Sequence, residues 1–272
     1  MGTVILCLPR KDRFSTLLEF YFQRTKIETE VVTSRADFFR SLVPSEVSLV
    51  ILDALMPEWS QISELLKCDR QTSGIPLVVL FPKGHKPGNA EEFIVLGDEH
   101  LEEPFEVGSL LKISMSLLES RRNGNAVVQQ VAFHLSTVET HLDRANELVG
   151  QLLKGAGISE GEEGMLQEAF REALGNAAQH GNLYQADKFI KVLFRLEKKR
   201  IVIVVTDQGR GFDHQKFLEH ARNDDPLSKA RERYQEGRMG GLGIIIMNRS
   251  LDELRYNEQG NEITLIKNLP VK

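Results

Sequence analysis

Residues 164–181 read GMLQEAFREALGNAAQHG, and this stretch constrains the chain more than any other. Leu166, Ala169, Phe170, Ala173, Leu174 and Ala177 recur at helical spacing and form one apolar stripe. Glu168, Glu172, Asn176 and His180 are each four residues apart, so they line a neighbouring polar stripe. A helix over about Gly164–His180 follows, with one face in a core. By itself this pattern fits many surface helices with a solvated face. Two stretches downstream change its weight: DQGRGFD at 207–213 and GRMGGLG at 237–243. An acidic-amide helix, an Asp-Gly turn after an apolar strand and a glycine-rich helix start are together the parts of one nucleotide site.

Each part has a chemical reason. A carboxylate at a strand end, Asp207, can accept a hydrogen bond from an exocyclic amino group such as that of adenine. Gly209 and Gly211 let the backbone approach a base and permit conformations that other residues resist. Gly240, Gly241 and Gly243 stand where a helix begins, and free amides there bind phosphate. Asn176 offers an amide oxygen of the kind that fills one place on a magnesium otherwise held by phosphates and water. Glu172, one turn earlier, points to the same cavity. His180 is read as a cap for the helix end. Each of these signals is weak alone; their order along one chain gives them force.

At 272 residues the chain is long for a single core, and two domains are expected. A hydrophobic content of 41% with 27% charged residues is that of a soluble globular protein. The net charge of −5 gives no reason to expect nucleic-acid binding driven by bulk charge. Cys7 and Cys68 have no metal-ligand spacing and fit a reducing, cytoplasmic setting. No stretch approaches membrane-span length. The polar run Ser120–Asn125 marks the joint between domains at 1–120 and 126–272.

In the first domain, short apolar runs at Thr3–Leu8, Leu49–Leu52 and Pro76–Leu80 alternate with helical segments at Arg13–Thr25, Ala36–Leu42, Ile62–Cys68 and Pro104–Leu118. That alternation predicts a doubly wound parallel sheet with helices on both faces. VSLVILDALMP, IPLVVL and EEPFEVGSLLK resemble the receiver domain of bacterial response regulators over about 118 residues. The resemblance makes Asp53 the counterpart of the phosphoacceptor and points to a cis peptide at Glu103-Pro104. The other residues of that chemistry are replaced. Leu8-Pro9 stand for the acidic pair that would hold a divalent cation, Phe81 for a Ser/Thr, and Glu103 for a lysine. Phosphoryl transfer to a carboxylate needs cationic neutralisation, so Asp53 is expected to be an inactive remnant in a pseudo-receiver kept as a regulatory or docking domain.

In the second domain, a strand is expected over Ala126–Phe133. A capping box of Ser136 and Glu139 then opens a helix to about Lys154. Strands at Lys188–Leu196 and Arg200–Thr206 follow the central helix, and a final hairpin spans Glu253–Tyr256 and Glu262–Lys267. Between them lie a helical stretch at 213–222, a loop at 223–239 and a helix over about Gly241–Ser250. The expected fold is an α+β sandwich with helices on one face of a mixed sheet. REALGNAAQHGN, VVTDQGRGFD, GRMGGLGIIIM and LDELRYNEQGNEITLIK resemble the serine-kinase anti-sigma factor family of the histidine-kinase-like ATP-binding fold, over about 126–270.

That resemblance implies ATP and magnesium as cofactors. It implies Glu172 as general base, Asn176 as magnesium ligand, Asp207 as reader of adenine and Arg238 as a phosphate contact. It implies a protein serine/threonine kinase acting on an anti-anti-sigma-like, STAS-type partner, with a sigma factor as a second partner and no direct nucleic-acid or membrane contact. Two alternatives stay open. One is a non-catalytic ATP-binding interaction module, against which the presence of Glu172 speaks. The other is a histidine-kinase-related protein, for which His134 and His141 lack a two-helix hairpin. A homodimer through the helix near 112–120 is also left open.

Overall fold

The structure, a computed structural model, describes residues 2–84, 93–122, 127–211 and 251–270. The chain divides into two compact units, Met1–Pro87 with Ile94–Ala132, and Gly88–Phe93 with Phe133–Lys272.

The first unit is built from β1 (Thr3–Cys7), α1 (Arg13–Arg24), β2 (Thr29–Val32), α2 (Arg35–Ser41), β3 (Val47–Asp53), α3 (Trp59–Cys68), β4 (Leu77–Phe81), β5 (Ile94–Leu96), β6 (Glu99–Glu102) and α4 (Val107–Arg122). Its sheet has the order β2-β1-β3-β4-β6, and every pair is parallel. Side chains alternate across a strand, so each apolar run feeds two cores. Ile5, Cys7, Val50, Leu52, Val79 and Phe81 meet Phe38 of α2 and Ile62 and Leu66 of α3 on one face. Val4, Leu6, Leu49, Ile51, Val78 and Leu80 meet Leu18 and Phe22 of α1 and Leu110 and Leu118 of α4 on the other. Helices on both faces explain why these strands read as unbroken apolar runs.

A polar lock fastens α3 to the sheet. Lys67, 2% exposed, donates from Nζ to the Ser73 carbonyl at 2.8 Å and to Asp98 Oδ2 at 2.9 Å. Asp98 Oδ2 also accepts the Leu77 amide at 2.8 Å. A buried ammonium is tolerable here because its donors are satisfied.

The second unit comprises β7 (Val127–Ser136), whose first six residues cluster with the first unit, then α5 (Glu139–Leu153), α6 (Glu160–Asn176), β8 (Phe189–Glu197), β9 (Arg200–Thr206), β10 (Glu253–Tyr256) and β11 (Glu262–Asn268). The strands run in the order β10-β11-β9-β8-β7, antiparallel from β10 through β8. Val192, Val205 and Ile263 share one register row, and Phe194, Ile203 and Leu265 the next. All six are buried, as are Leu166, Ala169, Phe170, Ala173 and Leu174 of α6. The apolar stripe of the central helix thus lies in the core, as its spacing requires.

Two helix starts differ from the sequence expectation. Ser136 does not cap α5: it is buried at the end of β7 and its Oγ lies 2.8 Å from His141 Nδ1. Val138 takes the cap position and makes no side-chain bond. The strand runs three residues further than its apolar pattern suggested, which removes Ser136 from the helix. The capping box belongs instead to α6, where Ser159 and Glu162 bond reciprocally, so this helix begins a turn before Gly164. Lys267 of β11 closes on Glu162 at 3.1 Å.

Candidate functional site

Along the polar stripe of α6 the exposure falls. Glu168 is exposed and paired with Arg171, whereas Glu172 and Asn176 are half-buried. Asn176 Nδ2 donates to Glu172 Oε1 at 3.3 Å. That bond spends the amide's donor on the carboxylate and leaves the Asn176 carbonyl oxygen as the group able to ligate a cation. Glu172 also contributes to a field that, after burial, holds the Tyr256 phenol up to about 12. The tyrosine therefore stays a neutral neighbour of the carboxylate.

Past Asn176 the helix winds into a π turn over Ala177–Gly181, a distortion that often accompanies functional positions. Main-chain bonds close it, from the Asn182 amide to the Ala177 carbonyl at 2.8 Å and from the Tyr184 amide to the Ala178 carbonyl at 3.0 Å. The expected cap by His180 is not formed; its side chain is exposed.

Strand β9 delivers Asp207 to the end of α6. A side chain on Gly181 would put its Cβ 2.2 Å from the Asp207 carboxyl carbon, and one on Gly209 would meet the Gly181 carbonyl oxygen at 2.5 Å. Only glycines allow this approach. Asp207 Oδ1 accepts the Gly209 amide at 2.7 Å, which leaves Oδ2 for a further donor. Burial pushes the Asp207 carboxyl above its ordinary range, opposed by the Gly209 amide and by the charge of Lys188. Gly211 has φ +75, and a Cβ there would lie 1.8 Å from the Gln259 carbonyl oxygen. Both the dihedral and the space demand glycine.

The hairpin turn between β10 and β11 braces this loop from the other side. The Asp207 amide donates to the Asn261 carbonyl at 2.9 Å, and Asn261 Nδ2 donates to the Asp207 carbonyl at 3.2 Å. Asn257 Oδ1 holds the turn itself by accepting the Gly260 and Asn261 amides. Asn182, Gln208 and Asn261 are position-setting residues that sequence reasoning passed over. A lone Asn after a helix-ending glycine was the one available signal for Asn182.

The structure therefore brings Glu172 and Asn176 into contact and sets Asp207, Gly209 and Gly211 on one braced turn. Arg238, Gly240, Gly241 and Gly243 lie outside the described residues, as do the helical stretches at 213–222 and 241–250 and the loop at 223–239.

Asp53 is at the carboxyl end of β3, in the first unit. Its Oδ1 accepts the Leu55 amide at 2.8 Å. Burial raises its pKa, and the charges of Glu103 and Asp12 raise it further. Asp12 is committed to capping α1, where its Oδ1 accepts the Phe14 and Ser15 amides. Phe81, where a hydroxyl was expected in the receiver pattern, is fully buried against Trp59. The Glu103-Pro104 peptide is cis.

Comparisons with known proteins match parts of the chain. Residues 135–267 match the histidine kinase-like ATPase domain family. Serine-protein kinase RsbW of Staphylococcus epidermidis is 32% identical over 104 residues, covering 36% of this chain and 61% of the relative. The RsbW of Bacillus licheniformis is 34% identical over 108 residues, covering 38% and 62%. Transcriptional regulatory protein GltR of Pseudomonas aeruginosa is 25% identical over 147 residues, covering 52% and 61%. The chain thus spans about three fifths of the length of these relatives. Among solved structures, a putative response regulator from Chloroflexus aurantiacus aligns with 43% of this chain at 17% identity and a TM-score of 0.37. The chain joins a receiver-like fold to a C-terminal domain of the histidine kinase-like ATPase type, with weak similarity to serine-protein kinases.

Proposed function

We propose that this protein is an ATP- and magnesium-dependent protein serine/threonine kinase of the partner-switching, anti-sigma type. Its substrate is a serine or threonine hydroxyl on an anti-anti-sigma-like, STAS-type protein, and it also sequesters a regulatory partner such as a sigma factor. The observation that carries this reading is the half-buried Glu172–Asn176 pair, with Glu172 Oε1 at 3.3 Å from the Asn176 amide. A protein that only bound nucleotide would have no use for a positioned carboxylate beside its metal ligand.

The residues present fit the two cofactors. Among the described residues no group of three or more His, Cys, Asp or Glu could hold a metal ion by itself. That suits magnesium, which keeps several waters and phosphate oxygens and takes few protein ligands; Asn176 Oδ1 is the protein oxygen it would take. The Asp207 carboxylate, whose Oδ1 accepts the Gly209 amide and whose Oδ2 is left for a further donor, suits a base carrying an amino group. Bound magnesium would supply neutralisation of the charge on the transferring phosphoryl group.

The chain's own residues do the rest. Asp207 accepts from the adenine amino group, while Gly209 and Gly211 let the turn lie close to the base. Glu172 takes the proton from the attacking hydroxyl as the new O–P bond forms and the bond to the leaving ADP oxygen breaks. In this assignment the receiver-like unit is a regulatory or docking domain and Asp53 a remnant. The test is incubation of the full chain with labelled ATP, magnesium and purified STAS-type candidate partners. Transfer of label to a partner serine or threonine is the expected result. ATP binding without transfer to any partner would replace the kinase reading by that of a nucleotide-dependent interaction module.

A further inference from the structure

Asn182 is fully buried, although it follows directly on an exposed helix end. Its side chain closes a ring of three hydrogen bonds. Asn182 Oδ1 accepts the Gln208 amide at 2.8 Å, Gln208 Oε1 accepts the Phe189 amide at 2.8 Å, and the Phe189 carbonyl accepts Asn182 Nδ2 at 3.0 Å. The ring ties three segments together: the π turn, the first residue of β8 and the turn carrying Asp207. The next two residues, Leu183 and Tyr184, have φ +55 and +51. Bulky residues resist that left-handed conformation, and both are left exposed rather than packed. The chain accepts unfavourable backbone there, and the ordered outcome is Asn182 held inside.

We propose that Asn182 is a positioning residue for base recognition, acting through Asp207. Gln208 is the residue between Asp207 and Gly209, so fixing its amide fixes the plane of the Asp207–Gln208 peptide. Gly181, the residue before Asn182, lies against the Asp207 carboxylate at a spacing that admits no Cβ. Without Asn182, the carboxylate loses its fixed direction toward an amino group at the edge of the base. Asn182 thereby governs the preference for an amino-bearing purine over one with a carbonyl at that edge. This rests on the reading of Asp207 as the acceptor for adenine.

The test is calorimetric affinity of the full chain for ATP and for GTP, with magnesium, in the parent, N182A, D207N and the double variant. The expected result for N182A is a loss of about tenfold in ATP affinity, with GTP affinity little changed. The double variant should bind ATP no more weakly than D207N, because residues acting through one another do not add. Equal losses for ATP and GTP in N182A, or additive losses in the double variant, would overturn the proposal while leaving Asp207 in place. A parent without preference for ATP, together with an unchanged D207N, would remove the Asp207 reading and this inference with it. Should N182A fail to fold, Asn182→Ser removes the same carboxamide while keeping a polar side chain at the buried position. It should shift the ATP-to-GTP preference in the same direction, and unchanged affinities there would overturn the proposal as well.

Discussion

A carboxylate that accepts a hydrogen bond from an amino group must be ionised when the ligand arrives. Burial raises the Asp207 pKa above the ordinary aspartate range, with the Gly209 amide and Lys188 opposing. In the free protein, ionisation of Asp207 is therefore harder than in the unfolded chain. Its contribution to folding favours acid and is lost as pH rises through the raised value. In the proposed site nucleotide binding would have the opposite sign, since it would select the ionised form. ATP affinity should fall on acidification from neutral toward the ordinary aspartate range, and Asp207→Asn should abolish that dependence. At neutral pH the same substitution should weaken ATP binding by about 1.5–3 kcal/mol, the scale of a charged hydrogen bond. Calorimetry across pH checks both, and a flat parent profile with an unchanged variant would take Asp207 out of the site. The shared helix face of Glu172 and Asn176 and the place of Asp207 at the end of β9 were legible in the sequence, from spacing and from the apolar run before Asp207. Asn182 was not, because its importance comes from contacts 7 and 26 residues away.

At the scale of elements, the start of α6 shows how a cap is read and misread. Ser136-x-x-Glu139 and Ser159-x-x-Glu162 carry the same pattern, yet β7 claims Ser136 and only Ser159 caps a helix. Local sequence cannot decide this; the strand's pairing does. Bonds from Ser159, with help from Lys267, bring the Glu162 carboxyl down to about 2. Its contribution to stability is thus present above the ordinary glutamate range and lost as pH falls toward 2. Ser159→Ala should cost about 1 kcal/mol in urea unfolding, and Ser159→Asn a few tenths, since Asn caps nearly as well. Equal loss from both would show that the cap is not what stabilises this helix start. Strand β6 was illegible for a different reason. Only Leu101 of its four residues packs toward the core, so Glu99, His100 and Glu102 hide it. The buried strands β1, β3 and β4 were plain because helices cover both their faces.

For the whole molecule, the two units present opposite situations for phosphoryl chemistry. In the receiver-like unit, Asp53 has the charges of Asp12 and Glu103 near it and a buried phenylalanine where a hydroxyl was expected. The charges that act on Asp53 are negative and oppose a phosphate there. Asp53 should form no adduct with acetyl phosphate or beryllofluoride, and mass spectrometry showing a stable one would contradict this. In the ATPase-type unit, Glu172 and Asn176 share one helix face and one hydrogen bond, but we assign them different work. The most direct test of the central claim is a comparison of Glu172→Ala with Asn176→Ala in the full chain. ATP affinity and phosphoryl transfer to a STAS-type partner are measured for both. Glu172→Ala should bind ATP nearly as the parent does and transfer phosphate at least about a hundredfold more slowly. Asn176→Ala should lose both, because the metal that links protein to phosphate goes with it. Transfer by Glu172→Ala at the parent rate would contradict the account.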